Sequence, residues 1–331
     1  MSPTVSIIIP VFNGEKFIED CIKSIKAQTI KDLQVIIVDD GSRDHTLSIL
    51  KALELEDERI EVIHQNNAGV SAARNAGLQV VQAEWVLFVD ADDTIAPDYC
   101  ASLLDAANYL HADVVIARQL AETRPRYYLF QEKEKLVQAC LSYNESCYPF
   151  NIDAPWGKIF RHRVICEKNI CFPEELTRSE DAYFCLQFYE AANSIGILNQ
   201  FGYVHTEREG SICRSFVPTA PEMLEKVLRK NQEWVITSHP GEKKYLNALW
   251  FRVLPGIVEC ERTFFLHHDF SGRLKSEYQE FLRQPTVHQA ICNLKLTDVK
   301  IKQYKFRLIF YKLHLGWAFI TIKKKQMLHD V

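Results

Sequence analysis

Apolar runs and polar interruptions alternate regularly over the first ninety residues of the chain. Short runs rich in Val and Ile predict strands at residues 5–9, 33–38, 60–64 and 85–89, each ending near a proline or a polar residue. Between them, apolar residues recur at helical spacing, and Asn13 is the predicted N-cap of the first helix. Strands that alternate with helices of this length predict an α/β fold with a mostly parallel central sheet flanked by helices.

The rest of the chain divides into an irregular middle and a helical end. Beyond about residue 120, prolines interrupt a series of short elements, and from Pro221 onward the pattern is helical. No Gly/Ser-rich linker marks the transition. We therefore predict an α/β domain over residues 1–220 and a helical C-terminal region over residues 221–331, with a soft boundary near residue 220.

The segment 300–325 is basic and amphipathic. It holds eight Lys and Arg residues and no acidic residue, and apolar residues from Phe306 to Ile320 form a stripe at helical spacing. One interpretation is an interfacial helix held by an anionic membrane surface. The other is a core-packing or oligomerising helix with a solvated basic face. Charged residues interrupt the stripe, so no membrane-spanning helix is predicted.

Charge and cysteine content narrow the class of protein. The 331 residues carry a formal net charge of −4, and residues 223–331 hold 19 basic against 10 acidic residues, so an acidic body precedes a basic tail. The near-neutral total argues against a general nucleic-acid binder. The ten cysteines include no CxxC pair, which favours reduced thiols in the cytoplasm. No basic region precedes the first apolar run, so we expect no secretory signal.

Polar groups follow three of the predicted strands. They are the segment Pro10 to Asn13, the pair Asp39 and Asp40, and the trio Asp90, Asp92 and Asp93. Because ligands of an open parallel sheet bind beyond the carboxyl ends of its strands, these groups are predicted to share one edge. Several carboxylates in one crevice favour a cation, and the hard oxygens of Asp90 and Asp92 suit Mn²⁺ or Mg²⁺. The chain has no GxGxxG and no GxxxxGK[ST] loop, which disfavours a dehydrogenase or a P-loop enzyme.

Seven motifs, taken in order, make the chain resemble a known family. They are VSIIIPVFN at 5–13, VDDGS at 38–42, NAG at 67–69 leading to ARNAG at 73–77, DADD at 90–93, APWGKIF at 154–160, ED at 180–181 and REGSI at 208–212. Together they resemble the family 2 glycosyltransferases of bacterial surface-polysaccharide synthesis, over about residues 5–215. The resemblance implies a GT-A fold, a nucleotide-sugar donor that is most often UDP-linked, and sugar transfer with inversion.

The resemblance also implies which residues bind the donor. The predicted nucleotide-sugar-binding residues are Pro10, Phe12, Asn13, Asp39, Asp40, Asn67, Arg74, Asp90, Arg208 and Ser211. Among them, Phe12 would stack on uracil, and Asp40, or else Asp39, would accept the uracil N–H. Arg208 and Ser211 would close over the diphosphate.

The same resemblance assigns the metal, the base and the acceptor side. Asp90 and Asp92 would bind Mn²⁺ or Mg²⁺, and Asp181 would be the general base that deprotonates the acceptor hydroxyl. One carboxylate suffices for an inverting transfer, because the diphosphate leaves as an anion that needs no protonation. The predicted acceptor-side residues are Trp156, Lys158 and Glu180. Three alternatives stay open: an acidic first helical turn at residues 180–181, a structural Trp156, and His205 as a third metal ligand.

The sequence therefore predicts a metal-dependent inverting glycosyltransferase. It would move a hexose or an N-acetylhexosamine from a UDP-sugar to a hydroxyl of a glycan or lipid-linked glycan acceptor. It would work in the cytoplasm, with the basic tail as its route to the inner face of the plasma membrane, and as a monomer or a homo-oligomer. One alternative is a non-catalytic sugar-nucleotide-binding scaffold of a polysaccharide assembly complex. Nucleotidyl transfer is a second alternative, but it normally needs a Gly-rich basic loop where this chain has Pro10-Val11-Phe12-Asn13-Gly14.

Overall fold

The computed structural model describes residues 3–118, 126–142, 148, 150–206 and 216–329. The chain forms two compact units, one of residues 1–140 with 145–207 and one of residues 141–144 with 208–331. The first long helix after residue 207 begins at Ala220.

The first unit alternates strands and helices. Its strands are β1 (Val5–Val11), β2 (Leu33–Asp39), β3 (Ile60–His64), β4 (Trp85–Phe88), β5 (Thr94–Ile95), β6 (Val114–Ala117), β7 (Tyr127–Leu129), β8 (Lys158–Arg161), β9 (Ile195–Leu198) and β10 (Tyr203–Val204). Its helices are α1 (Ile18–Lys26), α2 (Thr46–Glu56), α3 (Val70–Gln79), α4 (Tyr99–Leu110), α5 (Lys133–Ser142), α6 (His162–Glu167) and α7 (Glu180–Ala191).

Eight of these strands form one mixed sheet in the order β3-β2-β1-β4-β8-β6-β9-β7. The pairs β3–β2, β2–β1 and β1–β4 are parallel, as is β6–β9, whereas β8 runs antiparallel to both β4 and β6. The central strands are buried on both faces because helices cover them, which explains their unbroken Val and Ile runs. The prediction of an α/β fold with a mostly parallel sheet is confirmed.

Strand order fixes where a ligand can bind. The chain passes from β1 to β2 and β3 on one side, and then returns to β4 on the other side of β1. Such a switch point leaves a crevice beyond the carboxyl ends of the two strands, because the connections leave them in opposite directions. The residues that follow β1 and β4 line this crevice.

The prediction that Asn13 caps the first helix is wrong. Helix α1 begins at Ile18, after a turn in which the amides of Phe17 and Ile18 donate to the carbonyl of Gly14. Asn13 has a φ of +53°, a left-handed conformation that asparagine tolerates. Its side-chain oxygen accepts from the amide of Arg43 at 2.8 Å, so it ties two loops together instead of capping a helix.

The second unit is helical. It contains α8 (Ala220–Ser238), α9 (Lys243–Phe251), α10 (Val253–Cys260), a π-helical turn (Glu261–Phe265), α11 (Leu274–Leu282), α12 (Pro285–Asn293), α13 (Lys302–Lys312) and α14 (Trp317–His329). This confirms the predicted helical C-terminal region. Over the part of the chain that the structure describes, none of the helices combines the length and the apolar character that crossing a membrane requires.

The predicted continuous stripe from Phe306 to Ile320 is wrong, because the tail is two helices. His314 adopts a φ of +54° between α13 and α14, and a Cβ added to Gly316 would lie 2.7 Å from the ring of Tyr278. The close approach of Gly316 thus requires a residue without a side chain. In α13 the buried residues are Arg307, Leu308 and Tyr311, whereas Phe306, the first residue of the predicted stripe, is 54% exposed.

A buried ion pair explains this rotation of α13. Arg307 donates to Glu261 of the π-helical turn and, at 3.0 Å, to the hydroxyl of Tyr311. Glu261 also accepts from the hydroxyl of Tyr278 at 2.6 Å, so every charged group in the cluster has a partner. The cation that was predicted to interrupt an apolar stripe is therefore part of the core of the helical unit.

Candidate active site

Three strand ends bring polar side chains to one edge of the sheet. Val11 of β1 pairs with Asp39 of β2, and Asp39 pairs with His64 of β3. Asp90 follows β4 on the other side of β1. The carboxylates predicted to share an edge do so.

Asp39 is fully buried and orients a histidine. Its Oδ2 lies 2.7 Å from Nδ1 of His64, and its Oδ1 accepts from the amide of Ser42 at 3.3 Å. His64 keeps about half of its side chain exposed at the sheet edge. His64 was not predicted as a site residue, although its place as the last residue of a predicted strand was a usable signal.

Asp40 holds the loop that follows β3. Its Oδ1 accepts from the side chain of Gln65 at 2.7 Å and the amide of Ala68 at 2.9 Å, and its Oδ2 accepts from the amide of Gly69 at 2.8 Å. Asn67 donates to the carbonyl of Asp40 at 2.9 Å. Among the described residues Oδ2 has this single donor, so it keeps acceptor capacity for a ligand N–H.

The end of β1 presents an aromatic ring to solvent. Phe12 is 46% exposed, although it directly follows a strand whose residues are nearly all buried. Pro10 is partly exposed in register with Val38, and the amide of Asn13 donates to Ser42 at 2.9 Å. An exposed ring on a loop fixed by hydrogen bonds is suited to stacking on a flat ligand.

Arg74 of α3 joins two carboxylates that are distant in sequence. Its side chain is 4% exposed, and it donates from Nη1 to Asp181 at 2.6 Å and from Nη2 to Asp90 at 3.1 Å. The guanidinium lies over the ring of Phe172, 5.2 Å from its centroid. The carboxylates of Asp181, the predicted base, and of Asp90, the first Asp of the DADD motif, therefore lie on either side of the same guanidinium group.

Asp181 lies in the first turn of α7, in a mostly buried setting. Burial raises the pKa of Asp181 from 3.8 to about 7, even though the positive charge of Arg74 acts to lower it. Burial also raises the pKa of the neighbouring Glu180. A carboxyl group with a pKa near neutrality is suited to general-base catalysis at physiological pH.

The DADD segment is held by hydrogen bonds to β10 and to the residues that follow it. The amide of Asp90 donates to the hydroxyl of Tyr203 at 3.0 Å. Asp93 is buried, with its Oδ2 at 3.0 Å from Nδ1 of His205 and its Oδ1 accepting from the amide of Thr206 at 2.9 Å. Asp93 therefore holds the segment after β10, whereas Asp90 and Asp92 keep part of their surface exposed.

The oxygen ligands of Asp90 and Asp92 fit a divalent cation that takes its remaining ligands from a substrate. Asp90 is 33% exposed and Asp92 is partly exposed, and both offer hard oxygens. Within the described residues no group of three or more His, Cys, Asp or Glu side chains forms a metal cluster, which leaves His205 as a third ligand without support. Mg²⁺ and Mn²⁺ are commonly held by one or two carboxylates together with substrate phosphates, so two protein carboxylates are sufficient.

Trp156 belongs to an aromatic group beside the DADD segment. Its ring stacks on Tyr203 with centroids 5.3 Å apart, and it meets the edge of His205 at 4.1 Å. Trp156 is partly exposed and His205 is 44% exposed. The group has one face in the core and one in solvent.

Lys158 is almost completely buried. It lies in β8 opposite Ile116, and its ammonium group donates to the carbonyl of Ala154. Burial lowers its pKa, while the nearby Asp153 and Asp181 act to raise it. A buried ammonium cannot extend to a bulky acceptor, so its charge can act only through its neighbours.

Two predicted donor-binding residues, Arg208 and Ser211, lie outside the described residues. Besides His64, two further residues of the site were not predicted from the sequence: Phe172, beneath the guanidinium of Arg74, and Tyr203, which accepts from the amide of Asp90. Neither belongs to a motif, and both reach the site only through tertiary packing.

A switch-point crevice lined by carboxylates, an aromatic ring and a buried arginine is the kind of site at which open α/β sheets bind ligands. Comparison with known proteins makes the class specific. The model of glycosyl transferase family 2 matches residues 6–165. EpsJ of Bacillus subtilis (strain 168), described as an uncharacterized glycosyltransferase, is 30% identical over 241 residues, which are 70% of this chain and 69% of that protein.

A second relative is TarS of Staphylococcus aureus, a poly(ribitol-phosphate) beta-N-acetylglucosaminyltransferase. It is 30% identical over 231 residues, 68% of this chain and 39% of TarS. The crystal structure of TarS 1–349 in complex with UDP-GlcNAc superposes with a TM-score of 0.70 at 22% identity, covering 99% of this chain and 92% of that one. The mannosyltransferase PcManGT of Pyrobaculum calidifontis, in complex with GDP-Man and Mn²⁺, gives a TM-score of 0.52 at 16% identity and covers 98% and 87%.

The chain belongs to glycosyl transferase family 2. It is a glycosyltransferase with a GT-A fold, as the motifs predicted.

Proposed function

We propose that the chain is a metal-dependent inverting glycosyltransferase that moves a hexose or an N-acetylhexosamine from a UDP-sugar to a hydroxyl group of a surface glycan. The observation that carries this proposal is the single guanidinium of Arg74 that joins Asp181 to Asp90. It holds a candidate base beside a donor-side carboxylate, so an acceptor hydroxyl at Asp181 would lie close to a sugar donor held at Asp90.

The donor half of the site is suited to uridine. Phe12 offers an exposed ring for stacking, Pro10 lies beside it in the chain, and Oδ2 of Asp40 can accept the uracil N–H. Asn67 and Asn13 fix the two loops that frame this space. The UDP-GlcNAc bound to TarS supports UDP-GlcNAc as the first donor to test.

Asp90 and Asp92 would hold Mn²⁺ or Mg²⁺ in this proposal. A bound divalent cation would stabilise the negative charge of the diphosphate that leaves. The Mn²⁺ in PcManGT is consistent with such a requirement. We also propose that Arg208 and Ser211 close over the diphosphate, as the family resemblance implies.

Asp181 is the proposed general base. Its carboxylate takes the proton of the acceptor hydroxyl while that oxygen attacks the anomeric carbon from the face opposite the diphosphate. The bond from the anomeric carbon to the diphosphate oxygen breaks, and UDP leaves with the electron pair. The transition state is oxocarbenium-like, so deprotonation of the nucleophile accompanies bond formation. Such assistance is typically worth about 10²–10⁴-fold in rate.

The acceptor side is proposed to consist of Trp156, Glu180 and, indirectly, Lys158. The exposed face of Trp156 is suited to packing on a sugar ring. Lys158 is buried, so its proposed role is to balance the charge of Asp181 rather than to touch the acceptor. The name of TarS, a poly(ribitol-phosphate) beta-N-acetylglucosaminyltransferase, supports a poly(ribitol phosphate)-like polymer as the first acceptor to test. The cytoplasm, at the inner face of the plasma membrane, is the proposed site of action, as the motif resemblance implies.

The test is donor turnover by the full chain. We expect UDP release from UDP-GlcNAc, UDP-glucose or UDP-galactose in the presence of Mn²⁺ or Mg²⁺, stimulated by a poly(ribitol phosphate) acceptor and abolished by EDTA. Binding of a UDP-sugar without any UDP release would favour the non-catalytic scaffold. Turnover of GDP-sugars instead of UDP-sugars would contradict the proposed donor.

The metal assignment has its own test. Asp92→Ala should weaken donor binding in Mn²⁺ to the level that the wild type shows in EDTA. Asp20→Ala is the matched control, because Asp20 is an exposed carboxylate on α1. Equal donor binding by Asp92→Ala and the wild type in Mn²⁺ would remove Asp92 from the metal site.

A further inference from the structure

One face of α13 combines lysines with exposed apolar side chains. The residues of this basic–apolar face are Lys302, Lys305, Phe306, Ile309, Lys312 and Leu313, all exposed. Their spacing of three and four residues places them within one stripe along the helix. Phe306 is 54%, Ile309 39% and Leu313 61% exposed, which is unusual for three large apolar side chains on a single face.

The buried residues on the opposite side of α13 hold the helix in the rotation that exposes this face. Arg307, Leu308 and Tyr311 are buried, and Arg307 is paired with Glu261 inside the helical unit. Rotating the helix to hide Phe306 and Leu313 would take Arg307 out of its ion pair and leave Glu261 buried without it. Breaking a buried pair in this way costs several kcal/mol, so the exposed face is a fixed feature of the fold.

The segment that carries the face has charges of one sign. No Asp or Glu occurs between Val299 and His329, whereas this span holds eight Lys and Arg residues. Lys323 is exposed on α14, next to Ile322, which is 56% exposed. The rings of Phe306 and Phe310 on α13 and Phe319 on α14 form a chain with centroids 4.8 and 4.9 Å apart, which links the exposed surfaces of both helices.

We infer that the basic–apolar face docks the protein onto an anionic lipid bilayer. Phe306, Ile309 and Leu313 would enter the boundary between headgroups and acyl chains, and Lys302, Lys305 and Lys312 would lie among the phosphates. A second copy of this chain is a poorer occupant, because a twofold contact through this face would bring its lysines against themselves. The inference depends only on the helical unit and is independent of the proposed sugar transfer.

The experiment is sedimentation of the full chain with vesicles. Vesicles of phosphatidylglycerol and phosphatidylcholine should bind the wild type at 0.1 M NaCl, and vesicles of phosphatidylcholine alone should not. The triple variant Lys302→Gln, Lys305→Gln, Lys312→Gln should bind about 100-fold more weakly, because each lysine near an anionic surface contributes a roughly fivefold gain in partitioning. Phe306→Ser with Leu313→Ser should weaken binding even at low salt, because the apolar term is lost.

Matched control variants distinguish the effect of this face on vesicle binding from the effects of total charge and of exposed apolar side chains in general. Lys23→Gln with Lys51→Gln and Lys168→Gln changes the net charge equally at exposed lysines of the first unit, and Leu55→Ser removes an apolar side chain that is 91% exposed. Both controls should bind like the wild type. The inference is overturned if the wild type does not sediment with anionic vesicles, if the controls lose binding equally, or if the serine variants instead abolish a dimer formed without lipid.

Discussion

Each unit of the protein contains a buried arginine that is paired with acidic side chains, at Arg307 and at Arg74, and the two clusters differ in how accessible the acidic partners remain. In the helical unit, Arg307 faces Glu261, whose side chain is 5% exposed and whose oxygens also accept from Tyr278 and Tyr311. In the sheet unit, Arg74 is also buried, but Asp181 and Asp90 remain 28% and 33% exposed.

The difference distinguishes an ion pair whose partners are all inside the protein from one whose carboxylates remain accessible to a ligand. Glu261 has its acceptors filled by protein donors, so the cluster of Arg307 can only stabilise the packing of α13. Arg74 positions two carboxylates whose remaining oxygen surface faces the crevice, and its Nε has no hydrogen-bond partner among the described residues. Buried charge indicates chemistry where its partners stay accessible, and structure where they do not.

The largest effect is expected at Asp181, the proposed general base. Asp181→Asn keeps the shape and the hydrogen bond to Arg74 but cannot accept a proton, so kcat for sugar transfer should fall about 10²–10⁴-fold. The affinity for the UDP-sugar, measured by calorimetry, should change little. Glu180→Gln is the neighbouring comparison and should lose less than about tenfold. A normal kcat in Asp181→Asn would remove Asp181 as the base.

The structural cluster should respond in stability and not in chemistry. Arg307→Met leaves Glu261 buried without its cation, and we expect a loss of about 3–5 kcal/mol in the free energy of unfolding in urea. Adding Glu261→Gln should recover part of the loss, because the neutral amide oxygen can still accept from the tyrosine hydroxyls. At temperatures where the variants remain folded, kcat should match the wild type. A loss of kcat in folded Arg307→Met would show that the comparison between the clusters is wrong.

Arg74→Lys tests whether geometry or charge alone holds the reactive cluster. A lysine keeps the positive charge but lacks the planar fork that reaches both carboxylates. Since a misplacement of about 1 Å can cost about 10²-fold in rate, we expect a decrease in kcat of that order with a smaller change in KM. Arg59→Lys, at the ion pair with Asp57, should leave kcat unchanged. Equal activity of Arg74→Lys and the wild type would show that charge suffices.

The smallest effect is expected at the nucleotide. Phe12→Ala removes the exposed ring at the end of β1, and base stacking on an aromatic side chain is worth about 1–3 kcal/mol. KM for the UDP-sugar should rise about tenfold or more, while Phe12→Tyr should stay near the wild type. Phe201→Ala, at another partly exposed ring, is the matched control. An unchanged KM in Phe12→Ala would place the uracil elsewhere.

The sequence predicted the sheet unit better than the helical unit for a physical reason. Strands buried on both faces appear as Val and Ile runs, and the residues after them lie at the ligand-binding edge whatever the rest of the fold does. Asp39, Asp40 and Asp90 could therefore be located from sequence alone. The motifs also pointed to Arg74 and Asp181, but their direct contact depends on how α3 and α7 pack.

The C-terminal segment from Phe306 to Ile320 shows what apolar spacing in the sequence cannot predict. Apolar spacing alone predicted one stripe from Phe306 to Ile320, with Arg307 as an interruption. Glu261, 46 residues earlier in the chain, reverses that pattern by burying Arg307 and exposing Phe306. Nothing near Arg307 in the sequence indicates this partner. Tyr203 and Phe172 escaped prediction for the same reason, since each reaches the site through a tertiary contact.

The most direct test of the account is the dependence of kcat on pH in the wild type and in Asp181→Asn. Burial raises the pKa of Asp181 to about 7, so in more acidic solution the protonated carboxyl cannot accept the acceptor proton. We predict that the wild-type kcat falls about tenfold for each pH unit below that pKa and levels off above it. The residual kcat of Asp181→Asn should not change with pH over the same range. The same acidic decline in Asp181→Asn, or a flat wild-type profile, would contradict the account.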